Sequence, residues 1–135
     1  PVAHSFPTRR SSDLLVSRFE KSAEEFDNER YEESCGKFRL YAETFAKEDS
    51  LRYESLFYHC ECLILENKIN EAQAVLEDIF DSSAPDAVKE KVIVRLGQIH
   101  CVKGDENEAE ILFDLLRNRY PSSIYLPLAN CNVVK

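Results

Sequence analysis

The stretch IVRLGQIHCVKGDENEAEILFDLLRNRYP, residues 93–121, decides the fold of this chain. Apolar residues recur at helical spacing on both sides of Gly104. Gly104 can take the left-handed conformation that ends a helix, and Pro121 stops the helix that follows. The stretch therefore predicts two helices, over about 85–103 and 106–119, joined by a tight turn.

The boundaries of these two helices carry signals of their own. Pro85 suits a first helical turn, where no amide hydrogen is needed. Asp105 lies three residues before Glu108, which is the spacing of a capping box, where each side chain bonds a free amide at the helix start. The sequence therefore predicts a side-chain cap at Asp105.

The rest of the chain continues the same pattern in both directions. Apolar residues fall at helical spacing from Leu15 onward, no strand alternation occurs, and the sequence holds only 3 glycines and 5 prolines. We therefore predict an all-α fold. Further helices are predicted over residues 15–27, 31–46, 50–66 and 70–80, with the start of another at 124–135.

The helix pairs recur at a nearly constant interval. The segments ERYEESCGKF, KINEAQAVL and DENEAEILF begin at Glu29, Lys68 and Asp105. Each contains a small residue followed, four positions later, by a large apolar one, and equivalent residues lie about 37 to 38 positions apart. A small residue lets two helices approach closely where they cross. The small residues are Ser34, Ala72 and Ala109, and the large ones are Phe38, Leu76 and Phe113.

Over residues 93–121 this pattern resembles the tetratricopeptide repeat family. The middle repeat departs mildly, with Cys60 at a glycine position and Asn67 at the turn, and the first repeat is the weakest match. The resemblance implies a right-handed superhelical array of antiparallel helix hairpins, a TPR-like solenoid over 15–135. It would hold about three repeats, at 15–48, 50–84 and 85–121, plus part of a fourth. The repeat-packing residues would be Ser34, Phe38, Cys60, Ala72, Leu76, Leu96, Gly97, Gly104, Ala109, Phe113 and Pro121.

Two inter-helix tails refine the resemblance. SSAPDAVKE at 82–90 and YPSSIYLPLA at 120–129, together with the long repeat, resemble a bacterial subgroup found in envelope proteins. That subgroup includes the Tol-Pal accessory protein and the lipoprotein of outer-membrane protein assembly. It implies a periplasmic or envelope-associated location, and a generic cytoplasmic repeat protein is the alternative.

Both ends of the chain carry unusual sequence. HSFPTRRSSDL, residues 4–14, resembles a translated sequencing adaptor at every position, with an ordinary Ser/Arg-rich tail as the alternative. We therefore expect residues 1–14 to be non-native and disordered, and the native start to lie outside the printed sequence. At the other end, the half-hairpin at 124–135 favours truncation over a solubilising cap.

In the tetratricopeptide repeat family the first helix of each pair lines a concave surface. Phe57 and Ile64 lie seven residues apart, as do Phe19 and Phe26, so each pair shares one helix face. The resemblance implies an apolar groove for a partner's peptide or helix, unless an absent helix or a second copy of the chain covers it. The predicted groove residues are Phe19, Ala23, Phe26, Phe57, Glu61, Ile64, Val94, Gln98 and Cys101.

The predicted function is therefore a protein–protein interaction scaffold without catalysis. A structural homo-oligomer that self-associates through the groove is the alternative, and a helical metalloprotein or enzyme is a remote one. His59-Cys60 and His100-Cys101 are adjacent pairs, which point about 100° apart on a helix. His59 with Cys62 has a spacing that suits metal ligation. We predict no catalytic, cofactor-binding or metal-binding residue and no cofactor.

The composition of the chain further restricts the classes of partner that we expect. The formal charge of −8 argues against nucleic acid, whose phosphates require clustered Lys and Arg. The longest apolar runs, CLIL at 62–65 and VIV at 92–94, are far too short to span a membrane. The 5 cysteines include no CxxC pair, so we expect buried thiols rather than disulfides. An acidic face that we interpret as solvated comprises Glu24, Glu25, Glu32, Glu33, Glu106 and Glu108.

Overall fold

The computed structural model describes residues 2–134, and the side chains of residues 12–133. All regular structure in this part of the chain is helical, which confirms the predicted all-α class. Two short 3₁₀ helices, Leu126–Leu128 and Cys131–Val134, end the described chain. The α-helices are Val2–Asp27 (α1), Tyr31–Ser34 (α2), Phe38–Thr44 (α3), Ser50–Leu65 (α4), Ile69–Phe80 (α5), Asp86–Val102 (α6) and Glu106–Arg119 (α7).

The chain divides into two compact units, Pro1–Cys62 (unit 1) and Leu63–Lys135 (unit 2). Aromatic side chains form the core of unit 1. Phe38 is fully buried and stacks on Tyr58 with ring centroids 4.7 Å apart. Phe19 meets the edges of Phe38, Tyr41, Phe45 and Tyr58 in T-shaped contacts, an arrangement that the ring quadrupoles favour.

Close helix packing forms the core of unit 2, where α6 packs against both α5 and α7. A Cβ atom built on Gly97 would lie 2.2 Å from Cε1 of Phe113, so the phenyl ring occupies the space that a larger residue would need. Phe113 and Ala109 are fully buried in this core. The predicted close contact of α6 with α7 is therefore confirmed.

The turns that follow α1, α4 and α6 have one shared conformation. Glu29, Asn67 and Gly104 have φ angles of 63°, 61° and 82°. In each turn the amide of this residue donates to the carbonyl three positions back, and the next amide donates to the carbonyl five positions back, at 2.8 Å. These are the two bonds of a Schellman helix end. The left-handed turns predicted at Asn67 and Gly104 are confirmed, and Glu29 supplies a third at the same interval.

The small and large residues of the repeat are buried as the pattern predicted. Every one of the six is fully buried, because small side chains allow close helix crossing and large ones fill the space between. The fully buried set is Ser34, Ala72, Ala109, Phe38, Leu76 and Phe113.

The second helix was predicted to run without a break over 31–46, and this prediction is wrong. The segment is divided into α2 and α3 by a turn at residues 35–37. Gly36 weakens a helix interior because it has the greatest backbone freedom to lose on folding. Cys35 is also bonded to Cys62, which fixes the chain at this turn.

The predicted helix at 124–135 is also wrong, since only 3₁₀ turns form there. Pro127 has no amide to donate, so it interrupts helical bonding. Cys131 is bonded to Cys101 on α6, and the Arg117 guanidinium donates to the Ala129 carbonyl at 3.2 Å. These two bonds hold the segment against α6 and α7 in a non-helical conformation.

Two predictions about helix starts also differ from the structure, one in position and one in capping. α1 begins at Val2 rather than Leu15, so the disorder expected for 1–14 is not what the backbone of residues 2–14 shows; adding residues to an existing helix needs no new nucleation. The adaptor origin of this segment stays a prediction. Asp105 makes no side-chain cap on α7, and its carboxylate lies 3.6 Å from His100 Nδ1 instead.

Candidate binding surfaces

The predicted concave groove is mostly closed in the structure. Five of its nine residues are buried, which corrects the expectation of an open aromatic surface. In unit 1 the reason is aromatic packing, since Phe26 meets the rings of Tyr31, Phe38 and Tyr58. The buried groove residues are Phe19, Phe57, Val94, Gln98 and Cys101, and the half-buried ones are Ala23, Phe26, Glu61 and Ile64.

A small apolar hollow in unit 2 retains part of the predicted groove. It has a volume of about 160 Å³ and brings Ile64 together with Gln98. Arg95 also lines it and donates to Oε1 of Gln98 at 2.6 Å. The volume is well below that of a typical ligand pocket, so this hollow suits a single apolar side chain. Its other lining residues are Ile69, Ile99 and Val102.

The cysteines correct a second expectation, because four of the five form disulfides. Cys35 is bonded to Cys62 in unit 1 and Cys101 to Cys131 in unit 2. Only Cys60 is a free thiol, and it is fully buried. Connectivity of this kind depends on the tertiary fold, so the spacing of the cysteines along the chain did not predict it.

The disulfides also leave two of the cysteines that stand near a histidine in the sequence without a free thiol. Cys62 carries no thiol that could join His59 in a metal site, and Cys101 carries none beside His100. Burial raises the pKa of the Cys60 thiol to about 12, so it stays protonated and weakly nucleophilic. Within residues 2–134, no group of three or more His, Cys, Asp and Glu side chains could hold a metal ion.

A second hollow in unit 2, larger than the first, was not predicted from the sequence. It lies in unit 2 between α5, α6 and α7 and has a volume of about 680 Å³. Its floor is apolar, and Ile111 on α7 remains 62% exposed there. We call it the acidic hollow, because four carboxylates line it. The apolar lining residues are Ala74, Phe80, Leu96, Ile111, Leu112 and Leu115, the acidic ones are Glu77, Asp78, Asp81 and Glu108, and the remaining one is His100.

Helix periodicity explains why these side chains meet. Glu77 and Asp81 lie one turn apart on the α5 side of the hollow, and Glu108, Leu112 and Leu115 follow one face of α7. The hollow thus has an acidic side formed by α5 and a mainly apolar side formed by α7, with Glu108 at the N-terminal end of the α7 row. One clue was present in the sequence, since the apolar residues at 111–113 and 115–116 occupy more than the single stripe that a core-facing helix needs.

The four carboxylates of the acidic hollow are exposed to solvent. None of them takes part in an ion pair or a side-chain hydrogen bond within the described chain. Their charge is therefore not neutralised by the protein itself. By contrast, Glu25 of the predicted solvated face is buried beside Lys37, at 3.8 Å from Nζ to Oε1, which corrects that part of the interpretation.

Comparisons of this chain with protein-family models, curated proteins and solved structures found no match. The helices between residues 2 and 134 include none with both the length and the apolar character that a membrane span requires.

Proposed function

We propose that this chain is a helical-repeat scaffold that binds a segment of a partner protein. The recurring register supports the proposal most directly. Glu29, Asn67 and Gly104 adopt one turn conformation, and a fully buried small residue lies five positions after each of them. Sequences that repeat a helix–turn–helix unit in this way typically stack the units into a continuous array with an extended binding surface.

The arrangement that we propose is a TPR-like solenoid, as the resemblance over residues 93–121 implied. The binding surface differs from the original expectation. Because Phe19, Phe57 and Val94 are buried, we place binding on unit 2, around α5, α6 and α7, where hollows remain open. A homo-oligomer is the competing proposal.

The two disulfides indicate the kind of cellular compartment in which such a scaffold would be found. Disulfides persist in oxidising compartments and are rare in the cytosol. We therefore propose an oxidising compartment for this chain, which agrees with the implied envelope location. Mass mapping of the natively purified chain, alkylated in denaturant without reductant, should recover the Cys35–Cys62 and Cys101–Cys131 cross-links and one alkylated thiol at Cys60. Five alkylatable thiols would contradict this placement.

Selection from a displayed library tests the function itself. Random peptides of about 15 residues, long enough for four helical turns, would be selected on the oxidised chain and measured by calorimetry. We expect peptides that share one spacing of apolar residues and bind with 1:1 stoichiometry. Chain that has been reduced and alkylated in denaturant is the control. Equal enrichment on this unfolded control, or self-association without peptide binding, would overturn the proposal.

A further inference from the structure

We infer that the acidic hollow is the docking surface for a basic amphipathic helix of the partner protein. The inference deepens the proposed function and rests on it. The first observation is the shape and chemistry of the floor. Ile111 stays 62% exposed beside Leu112 and Leu115, in a hollow of about 680 Å³. Exposed apolar surface of this kind is stabilised when a partner's apolar side chains cover it.

The second observation is the charge around that floor. Glu77, Asp78 and Asp81 lie on the α5 side and Glu108 on the α7 side, and none is neutralised within the described chain. A complementary ligand therefore needs an apolar face with cationic groups along one side of it and a further cation at one end. Lys and Arg would supply them, since opposite charges across an interface favour binding and steer association.

This order of groups favours a helix over an extended peptide. On a helix, residues at i, i+3, i+4 and i+7 form one apolar stripe, and the positions beside that stripe project on both flanks. In an extended peptide successive side chains alternate between opposite faces, so it could not present an apolar stripe and an adjacent row of cations to the same hollow. The chemistry of the hollow thus selects an amphipathic helix with Lys or Arg beside its apolar face.

A second copy of this chain fits the hollow poorly. Each copy has a formal charge of −8, so self-association here would bring like charges together. A nucleic acid is disfavoured for the same reason, because its phosphates would face carboxylates. Charge complementarity therefore favours a basic protein segment over both.

A designed peptide pair tests the inference. The probe is a synthetic amphipathic helix of about 18 residues with Leu on one face and Lys beside it, and its counterpart has Glu at every Lys position. Calorimetry on the oxidised chain should show 1:1 binding of the Lys peptide, and binding at least about tenfold weaker for the Glu peptide. A scrambled Lys peptide of the same composition should also bind at least about tenfold more weakly, because it lacks the apolar stripe.

Substitutions in the chain test whether the Lys peptide binds at the acidic hollow. Asp81→Lys/Glu108→Lys should weaken the Lys peptide by at least about tenfold, and Ile111→Ser should weaken it by about fivefold without any change of charge. The matched control is Glu32→Lys/Glu33→Lys, which makes the same charge change at two exposed positions of α2. It should change the affinity by less than about twofold, since long-range attraction is screened at physiological salt. Circular dichroism checks that each variant is folded.

Equal weakening by the hollow variants and the α2 control would overturn the inference and leave only non-specific charge attraction. Equal binding of the scrambled and amphipathic Lys peptides would overturn it as well. The library selection separates the two proposals. If selected peptides bind unit 2 and the hollow variants leave their affinity unchanged, the docking inference fails and the scaffold function stands; if no peptide binds the folded chain, both fail.

Discussion

At the scale of single residues, packing distance constrains this chain most tightly. Gly97 illustrates the constraint, because the ring of Phe113 fills the space that its side chain would take. Phe113 is fully buried, so its ring has little freedom to move away. A single added methyl group at Gly97 must therefore displace core atoms.

We predict that Gly97→Ala lowers the free energy of unfolding by about 1 to 3 kcal/mol, since it overpacks the contact with Phe113. Urea denaturation measures this change. The matched control is Gly36→Ala, where a Cβ would meet no atom within 4 Å. The control should be neutral or stabilising by up to about 1 kcal/mol, because alanine restricts the unfolded chain. Equal effects of the two variants would show that α6 and α7 do not meet at Gly97.

The buried thiol of Cys60 makes a second prediction at this scale. Its pKa is raised by burial from 9.0 to about 12 in the folded chain. Between these pH values the unfolded state loses its proton first, so the stability that Cys60 contributes is present below pH 9 and is lost as pH rises toward 12. Urea denaturation should show wild-type stability falling more steeply above pH 9 than that of Cys60→Ala. Parallel curves would mean that Cys60 is not buried as a thiol.

At the scale of elements, the turns that follow α1, α4 and α6 recur with the same geometry. Three turns share one Schellman arrangement, although the residue in the left-handed conformation is Glu29, Asn67 or Gly104. A non-glycine residue in this conformation costs roughly 1 to 2 kcal/mol, with Asn less affected. The turn at Glu29 is therefore the strained member of the set.

We predict that Glu29→Gly raises the free energy of unfolding by about 0.5 to 1 kcal/mol, because glycine takes the left-handed conformation without steric cost. Gly104→Ala should lower it by a similar or larger amount for the opposite reason. Thermal melts of both variants measure the two changes. Opposite signs are expected, and a loss of stability in Glu29→Gly would contradict the turn geometry at that position.

The elements also show how far the sequence could predict this structure. The interval that relates Ser34, Ala72 and Ala109 could be read directly, since small residues at helix crossings follow from local spacing. Spacing could not show whether the stripe of Phe19 and Phe26 is open or covered. That depends on aromatic rings from other parts of unit 1, and only the tertiary structure brings them together.

The C-terminal segment and the acidic hollow could not be predicted from the sequence for related reasons. A disulfide from Cys131 to Cys101 overrides the weak helical pattern of 124–135, and cysteine pairing is not local information. The acidic hollow combines side chains of α5, α6 and α7. In the sequence its carboxylates resemble an ordinary solvated face, and only the packing of three helices brings them into one hollow with Ile111 and Leu115.

At the scale of the whole molecule, each unit carries one disulfide. The two bonds close loops with sequence separations of 27 and 30 residues. Closing a loop of this size reduces the entropy of the unfolded chain. Each disulfide thus stabilises the unit that contains it.

We predict that Cys101→Ser/Cys131→Ser lowers the free energy of unfolding by about 2 to 4 kcal/mol, because the unfolded chain regains the entropy of an open loop. Urea denaturation of the variant and of wild type provides the measurement. Chemical reduction of the wild-type chain should lower its stability at least as much, since it opens both loops. Unchanged stability in the variant would show that the segment around Cys131 is not held to α6.

Under the proposed function, a partner segment binds the α5–α7 surface of unit 2. The most direct test is a titration of the ¹⁵N-labelled oxidised chain with a library-selected peptide, followed by amide chemical shifts. We predict saturable shifts at residues around the acidic hollow, including Asp81, Glu108 and Ile111, while the amides of α2 and α3 stay in place. Shifts that do not saturate, or that are confined to α2 and α3, would contradict the claim.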